Sequence, residues 1–168
     1  EYHLEKGRRM VYIGGKEKHM GGIHMLKLLR AAMAAAGADM FLIPTADPHG
    51  SEYPGEHYKV RRYFSGFTGS AGTMAVTAHE AGLWTDGRYF LQAERELKGT
   101  GIDLYKMGQP GVPAIFDWIQ DNLKGTLGAD FRTITAAEGN DLTERGIKLA
   151  DLPDLIDSVW KDRPELSP

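Results

Sequence analysis

The 168-residue chain contains no cysteine, and this absence excludes several kinds of chemistry. Without thiols the protein forms no disulfide, binds no metal through thiolate and uses no cysteine nucleophile. A composition without disulfides is typical of proteins from a reducing compartment, so we expect a cytoplasmic location.

Long apolar runs and a strong net charge are also missing. No run reaches the roughly 20 apolar residues that a membrane-spanning helix requires. The amino-terminal stretch is charged and interrupted by glycine, unlike a secretory signal. The formal net charge of −3 offers no field that would attract nucleic acid or an anionic membrane. We therefore expect neither nucleic acid nor a membrane among the partners.

The sequence does contain an alternation of helix and strand patterns in a length that fits one domain. Ile23, Leu26, Leu29 and Met33 have helical spacing, and Met40 begins a short apolar strand. The predicted order is helix, strand, hairpin, helix, strand, helix, strand, helix, strand, helix. Such alternation predicts an α/β fold with helices on both faces of the sheet, and the hairpin predicts that the sheet is mixed.

Two stretches interrupt this alternation. We interpret residues 1–22 as a mobile amino-terminal extension, and residues 23–168 as the folded domain. Residues 44–62 are rich in proline, glycine, histidine and charge and lack periodicity. We interpret them as a long loop, a feature that is often functional inside a compact domain.

The glycine-rich segment of residues 65–72 does not match a known phosphate or nucleophile motif. Gly66, Gly69 and Gly72 precede a strand, whereas a dinucleotide fingerprint lies between a strand and a helix. No lysine follows them as in a P-loop. Ser70 has Thr68 two residues before it, so a nucleophile elbow is not formed. We expect these glycines to let the backbone bend tightly into the strand that follows Phe67.

The polar residues of the 44–62 loop allow more than one interpretation. Asp47, His49 and Glu52 could ligate a metal ion, but short loops of this composition more often pin themselves by hydrogen bonds. The basic run of Lys59, Arg61 and Arg62 is interpreted as a solvated face or as ion-pair partners.

The segment Trp-Thr-Asp-Gly-Arg begins at Trp84 and has its own structural interpretation. Asp86 is expected to cap the next helix, with Arg88 pairing with it, with Glu52 or with Glu94. The large aromatic residues are expected in the core or at an interface; these are Phe67, Trp84, Trp118 and Trp160.

Four segments in register resemble the N-terminal domain of aminopeptidase P, the Xaa-Pro aminopeptidase group of the creatinase/prolidase family (peptidase family M24). They read FLIPTADPHGSEYP (41–54), RRYFSGFTGSAGTMAVT (61–77), GLWTDGRYFLQAERELKGTGIDLYKMG (82–108) and DLIDSVWKDRPELSP (154–168). The resemblance implies a three-layer α/β/α fold with a mixed, mainly parallel sheet of the ribonuclease H-like kind.

The resemblance also implies where the chemistry of the longer enzyme takes place. In this family a later "pita-bread" domain binds two divalent metal ions, often manganese, through two aspartates, one histidine and two glutamates. No residue of this chain matches that set, so we expect no catalytic residue, metal or cofactor here. The implied partners are the remainder of the parent polypeptide, a second copy in a homodimer, and a peptide substrate with proline in second position.

The polar residues of the matching motifs are predicted to lie at the rim of the substrate cleft or at a subunit contact. They are Asp47, His49, Glu52, Tyr53, Arg61, Asp86 and Arg88. Two alternatives remain at this point: a stand-alone binding module of the same fold, and a small-molecule enzyme with its site in the 44–62 loop.

Overall fold

The computed structural model describes residues 21–166 of the chain. Residues 1–20, most of the predicted extension, lie outside the described residues. The last two residues of the predicted extension, Gly21 and Gly22, belong to the first turn of helix α1. The helix therefore begins two residues earlier than the predicted start at Ile23.

The described part of the chain contains six α-helices and six strands, joined by loops and short 3₁₀ turns. The helices are α1 (Gly21–Ala36), α2 (Val60–Ser65), α3 (Phe90–Glu96), α4 (Ile115–Asn122), α5 (Ala136–Glu144) and α6 (Leu155–Val159). The strands are β1 (Met40–Ile43), β2 (Thr73–Thr77), β3 (Ala81–Thr85), β4 (Asp103–Lys106), β5 (Thr126–Ala129) and β6 (Lys148–Asp151). None of the helices within residues 21–166 is long and apolar enough to cross a bilayer.

The strands form one sheet in the order β4-β3-β2-β1-β5-β6. Strand β2 pairs antiparallel with β1 and β3, and the remaining pairs are parallel. Five strands thus share one direction, which confirms the mixed, mainly parallel sheet. Because β2 runs the opposite way, it begins at the edge where β1 and β3 end.

Helices cover both faces of the sheet, which confirms the three-layer α/β/α architecture. One core contains apolar residues of α1, α2, α3 and α6, including Leu29, Phe64 and Ile156. The other core lies beneath α4 and α5 and includes Trp118 and Leu142.

Local sequence signals account for the ends of several helices. Gly37 ends α1 with a φ of 74°, a conformation that glycine adopts without strain. At the start of α5, Thr135 and Glu138 form the reciprocal hydrogen bonds of a capping box, as their spacing predicts.

The main error of the sequence-based prediction is that residues 44–62 do not form one continuous loop. A short 3₁₀ turn at Glu56–Tyr58 leads into helix α2. Only six residues form α2, too few for a periodic pattern to stand out, and two adjacent arginines obscure its apolar side. Val60 and Phe64 are nevertheless buried, so packing against the sheet stabilises this helix.

Candidate functional site

Three loops meet at the edge of the sheet where β1 and β3 end. They are residues 44–54 after β1, residues 66–72 before β2, and residues 86–88 after β3. Ligands of α/β proteins bind preferentially outside the carboxyl ends of the parallel strands. Six of the seven predicted site residues belong to these loops, and Arg61 lies on α2 beside them.

The side chain of Arg61 joins two of these loops. Its guanidinium group donates hydrogen bonds to the hydroxyl of Thr45 and to the carbonyl oxygen of Gly69. A further bond, 3.2 Å long, reaches the carbonyl oxygen of Gly72. The guanidinium carbon lies 4.7 Å from the centre of the Phe67 ring. Arg61 therefore holds the end of β1 against the start of β2.

The interpretation of Arg61 as part of a solvated face is wrong, because the residue is only 5% exposed. Within residues 21–166 it belongs to no ion pair, and its Nε–H has no acceptor. Burial lowers the pKa of Arg61 to about 10, against the opposing effect of the Glu96 carboxylate. The group remains charged at neutral pH, so the site contains a buried cation held mainly by neutral oxygens.

The glycines of the 66–72 loop allow its close packing around Arg61. A Cβ atom at Gly69 would lie 2.3 Å from Cζ of Phe67, and one at Gly72 would lie 3.1 Å from Nη1 of Arg61. Gly66 ends α2 in the left-handed conformation, with a φ of 71°. The segment then runs directly into β2 and has no helix N-terminus to bind phosphate. Its glycines serve a tight bend, as expected from the sequence.

Glu96 of α3 fastens the tip of this loop. Its carboxylate accepts hydrogen bonds from the backbone N–H of Thr68 at 2.8 Å and from the Thr68 hydroxyl at 2.6 Å. Gln92 donates to the same hydroxyl at 2.8 Å. Burial pushes the pKa of Glu96 upward, but the hydrogen bonds from Thr68 and Gln92 outweigh it and lower the pKa. The tip is thus ordered by an ionised carboxylate.

The loop after β1 is pinned by Asp47. One carboxylate oxygen accepts hydrogen bonds from the backbone N–H groups of His49 at 2.9 Å and Ser51 at 3.0 Å. The bonds from Ser51 contribute most to lowering the Asp47 pKa. Asp47 is buried, whereas His49, Glu52 and Tyr53 are exposed. Across residues 21–166 no three histidine or acidic side chains converge in a way that could hold a metal ion.

Asp86 and Arg88 form a compact unit at the end of β3. Asp86 accepts a hydrogen bond from the backbone N–H of Arg88 at 3.1 Å, which caps the 3₁₀ turn Gly87–Tyr89. The Arg88 side chain donates to both carboxylate oxygens at 2.9 Å. Asp86 therefore caps this 3₁₀ turn and not helix α3 itself, which begins at Phe90 without a side-chain cap. Of the partners predicted for Arg88, Asp86 is the one that the structure shows. Glu94 pairs instead with Lys106.

The Asp86 cap predicts a ranked effect of two substitutions. Asp86→Ala removes the cap and the ion pair, whereas Arg88→Ala leaves the backbone N–H to be capped, so Asp86→Ala is expected to lower the melting temperature more. The hydrogen bond from the Arg88 side chain is the main reason why the pKa of Asp86 is lowered. A carboxyl group whose pKa is lower in the folded state stabilises the protein above its unfolded pKa and loses this effect as the pH falls through the folded value.

Thermal melts of Asp86→Ala and Arg88→Ala at neutral pH test this order. The contribution of the charge is tested by melting the wild type and Asp86→Asn at neutral pH and near pH 3. The difference in melting temperature between these two proteins should narrow at the lower pH. A gap that does not change with pH would show that the ionised form of Asp86 contributes nothing.

A pocket of about 240 Å³ opens between the loop after β1, the start of α2 and the tip of the 66–72 loop. It contains three of the predicted site residues, Glu52, Tyr53 and Arg61. The other four predicted residues, Asp47, His49, Asp86 and Arg88, do not line it. Sequence reasoning missed Tyr58 and Arg62 as lining residues, because Tyr58 ends a short 3₁₀ turn and Arg62 lies on α2, two elements that no local pattern revealed.

A known family of protein domains matches most of this chain. Residues 25–159 match the family described as the Creatinase/Prolidase N-terminal domain. The match spans well over half of the chain, so the chain belongs to that family.

Individual relatives make the resemblance more specific. Aminopeptidase P2 of Arabidopsis thaliana is 46% identical over 138 residues, which are 77% of this chain and 19% of that protein. The X-prolyl aminopeptidase of Caenorhabditis elegans, described as a cytosolic enzyme with a di-nuclear active site, superposes with a TM-score of 0.78 at 33% identity. This chain covers 27% of that structure, with 89% of its own length.

A third relative consists almost entirely of this domain. It is the N-terminal domain of the cytoplasmic peptidase PepQ from Mycobacterium tuberculosis, with a TM-score of 0.61 and 25% identity. The similarity covers 81% of this chain and 98% of that one. The full-length relatives, by contrast, are much longer than the region that this chain matches.

Proposed function

We propose that this chain is the non-catalytic N-terminal domain of a longer, metal-dependent Xaa-Pro aminopeptidase. The observation that carries the proposal is the 46% identity to Aminopeptidase P2, confined to 19% of that protein. The parent enzyme would release the N-terminal residue from peptides with proline in second position. Its partners would be the remainder of the polypeptide, a second copy of the enzyme and the peptide.

The donor set of residues 21–166 does not fit a two-metal centre, because no three acidic or histidine side chains converge there. The metal ions, manganese in our proposal, would therefore belong to another part of the parent enzyme. The nematode relative, with its di-nuclear active site in a longer chain, supports this division. Its description as cytosolic also supports a cytoplasmic location.

Within the parent enzyme, this domain would shape the mouth of the cleft or a subunit contact. Six of the predicted site residues lie in loops at one edge of the sheet; they are Asp47, His49, Glu52, Tyr53, Asp86 and Arg88. Asp47 and Arg61 are buried and would hold the loops in place. The exposed members would contact the neighbouring domain, the second subunit or the peptide.

An activity assay on the isolated 168-residue chain tests this proposal. Incubation with Ala-Pro-Leu and manganese is expected to release no alanine, because the chain has no metal-binding group within its described residues. Arabidopsis Aminopeptidase P2, the relative described above, serves as the active control.

The outcome distinguishes the proposal from its alternatives. Manganese-dependent release that survives repurification would contradict it and favour an enzyme complete in this chain. A reading frame that stops at Pro168 would contradict it and favour a stand-alone binding module. A reading frame that continues into a segment with two aspartates, one histidine and two glutamates, together with an inactive isolated chain, would support it.

A further inference from the structure

The charges around the pocket are not balanced. Lys59, Arg61 and Arg62 line it, together with one carboxylate, that of Glu52. Lys59 is paired with Glu56 outside the pocket, and Arg61 is buried without an acid partner. Arg62 is exposed and has no ion-pair partner within 4 Å among residues 21–166. Among the residues that line the pocket, two cations outside any ion pair thus face one carboxylate, and the nearby Glu56 and Glu96 partly offset Arg62 and Arg61. An anionic ligand group beside Arg62 would complement the remaining positive charge.

The walls of the pocket are flat and largely apolar. Pro44, Pro54, Tyr53 and Tyr58 provide them. Tyr53 is 77% exposed, so its ring is accessible to a ligand in the pocket. Rings of tyrosine and proline form surfaces on which apolar or prolyl side chains pack.

The size of the pocket restricts its occupant to a small group. Its volume of about 240 Å³ is below the roughly 300–1,000 Å³ of sites for drug-sized ligands. The space therefore suits one or two amino-acid residues rather than a long segment. An anionic group next to an apolar side chain, at the end of a chain, describes the C-terminal residue of a peptide.

We propose that this pocket binds the C-terminal residue of a short peptide, with its free carboxylate beside Arg62 and its side chain against Tyr53 and Pro54. The inference rests on the proposed function, because it gives this domain the end of the peptide opposite to the bond that the parent cleaves. It assigns a preference for short peptides to residues outside the catalytic domain.

Titration of the ¹⁵N-labelled 168-residue chain, followed by amide chemical shifts, tests the assignment without any catalytic step. Three probes are compared: Ala-Pro-Leu with a free carboxylate, Ala-Pro-Leu amide, and Ala-Pro-Glu amide. The free acid is expected to shift the residues of the pocket and to bind about fivefold more tightly than Ala-Pro-Leu amide, as a solvent-accessible ion pair allows. This preference should weaken as salt is added.

Matched variants separate the pocket from the rest of the surface. Arg62→Gln should remove most of the preference for the free acid. Arg95 is also an exposed arginine but lies on α3, away from the residues that line the pocket, so Arg95→Gln should leave the preference unchanged. Tyr53→Ala should weaken the binding of both Ala-Pro-Leu probes. Leu91→Ala is the matched control, because Leu91 is 75% exposed and Tyr53 is 77% exposed. Leu91→Ala should leave the binding of both probes unchanged.

Several results would overturn the assignment. Equal affinity for the acid and its amide would do so, as would saturable shifts away from the pocket, or no saturable binding at all. Equal binding of Ala-Pro-Glu amide and Ala-Pro-Leu acid would show that any carboxylate suffices and would contradict a C-terminal site. Each of these outcomes leaves the proposed aminopeptidase untouched, because that proposal depends on the cleavage assay and the reading frame.

Discussion

Replacing Arg61 with alanine is expected to lower the free energy of unfolding by about 3 kcal/mol. The change removes three hydrogen bonds from a charged donor, to Thr45, Gly69 and Gly72. It also leaves the buried carbonyl oxygen of Gly69 without this donor, which is more costly than the loss of a solvent-exposed bond, whereas the Gly72 carbonyl still accepts from the Thr45 hydroxyl. Urea unfolding of the 168-residue chain measures this difference.

Two neighbouring substitutions serve as controls for Arg61→Ala. Arg62→Ala removes an exposed arginine one residue away and should change the unfolding free energy by no more than about 0.5 kcal/mol. Arg61→Lys keeps the positive charge but has no planar fork with which to bind several oxygens, so it should recover only part of the loss. Small and equal effects of Arg61→Ala and Arg62→Ala would contradict a structural role for Arg61.

Amide hydrogen exchange gives the same substitution a local readout. Arg61 connects the loop after β1 to the loop before β2, so Arg61→Ala should increase exchange in residues 44–54 and 66–72 more than in α4 and α5. A uniform increase over the whole domain would show that Arg61 stabilises the fold without any particular effect on the candidate site.

Replacing Trp84 with alanine is expected to destabilise the domain by about 3–5 kcal/mol. Trp84 is 1% exposed and stacks on Tyr105 with ring centres 4.1 Å apart. It meets Trp118 edge to face at 5.1 Å, and its Nε1–H donates to the carbonyl oxygen of Pro113 at 3.0 Å. The substitution opens a large cavity between the sheet and α4. A fall in melting temperature of about 10 °C or more should follow for a domain of this size.

Trp160 provides the control for this prediction. It also stacks on a tyrosine, Tyr63, with ring centres 4.1 Å apart, but it is only partly buried. Trp160→Ala should therefore cost less than Trp84→Ala. Trp84→Phe should retain much of the packing and lose the hydrogen bond to Pro113. If Trp84→Ala proved no more damaging than Trp160→Ala, the contribution of burial would have been overestimated.

The sequence alone determined the type and order of nearly all the elements. Apolar spacing identified α1, and β1 matches the predicted strand Met40–Ile43. The capping box placed the start of α5. These features depend on residues within one or two turns of each other, so local patterns were sufficient. The four quoted segments also indicated the family that the comparisons confirm.

The tertiary structure decided the architecture of the candidate site. Helix α2 is too short to reveal itself by periodicity, and its burial depends on contacts with the sheet and with α1. Arg61 was predicted at a solvated face or in an ion pair because it lies in a basic run between Lys59 and Arg62. Its partners lie 8 to 16 residues away in sequence, and the antiparallel β2 brings them to the same edge as the end of β1. Burial of a charged side chain depends on such distant acceptors, which no local pattern contains.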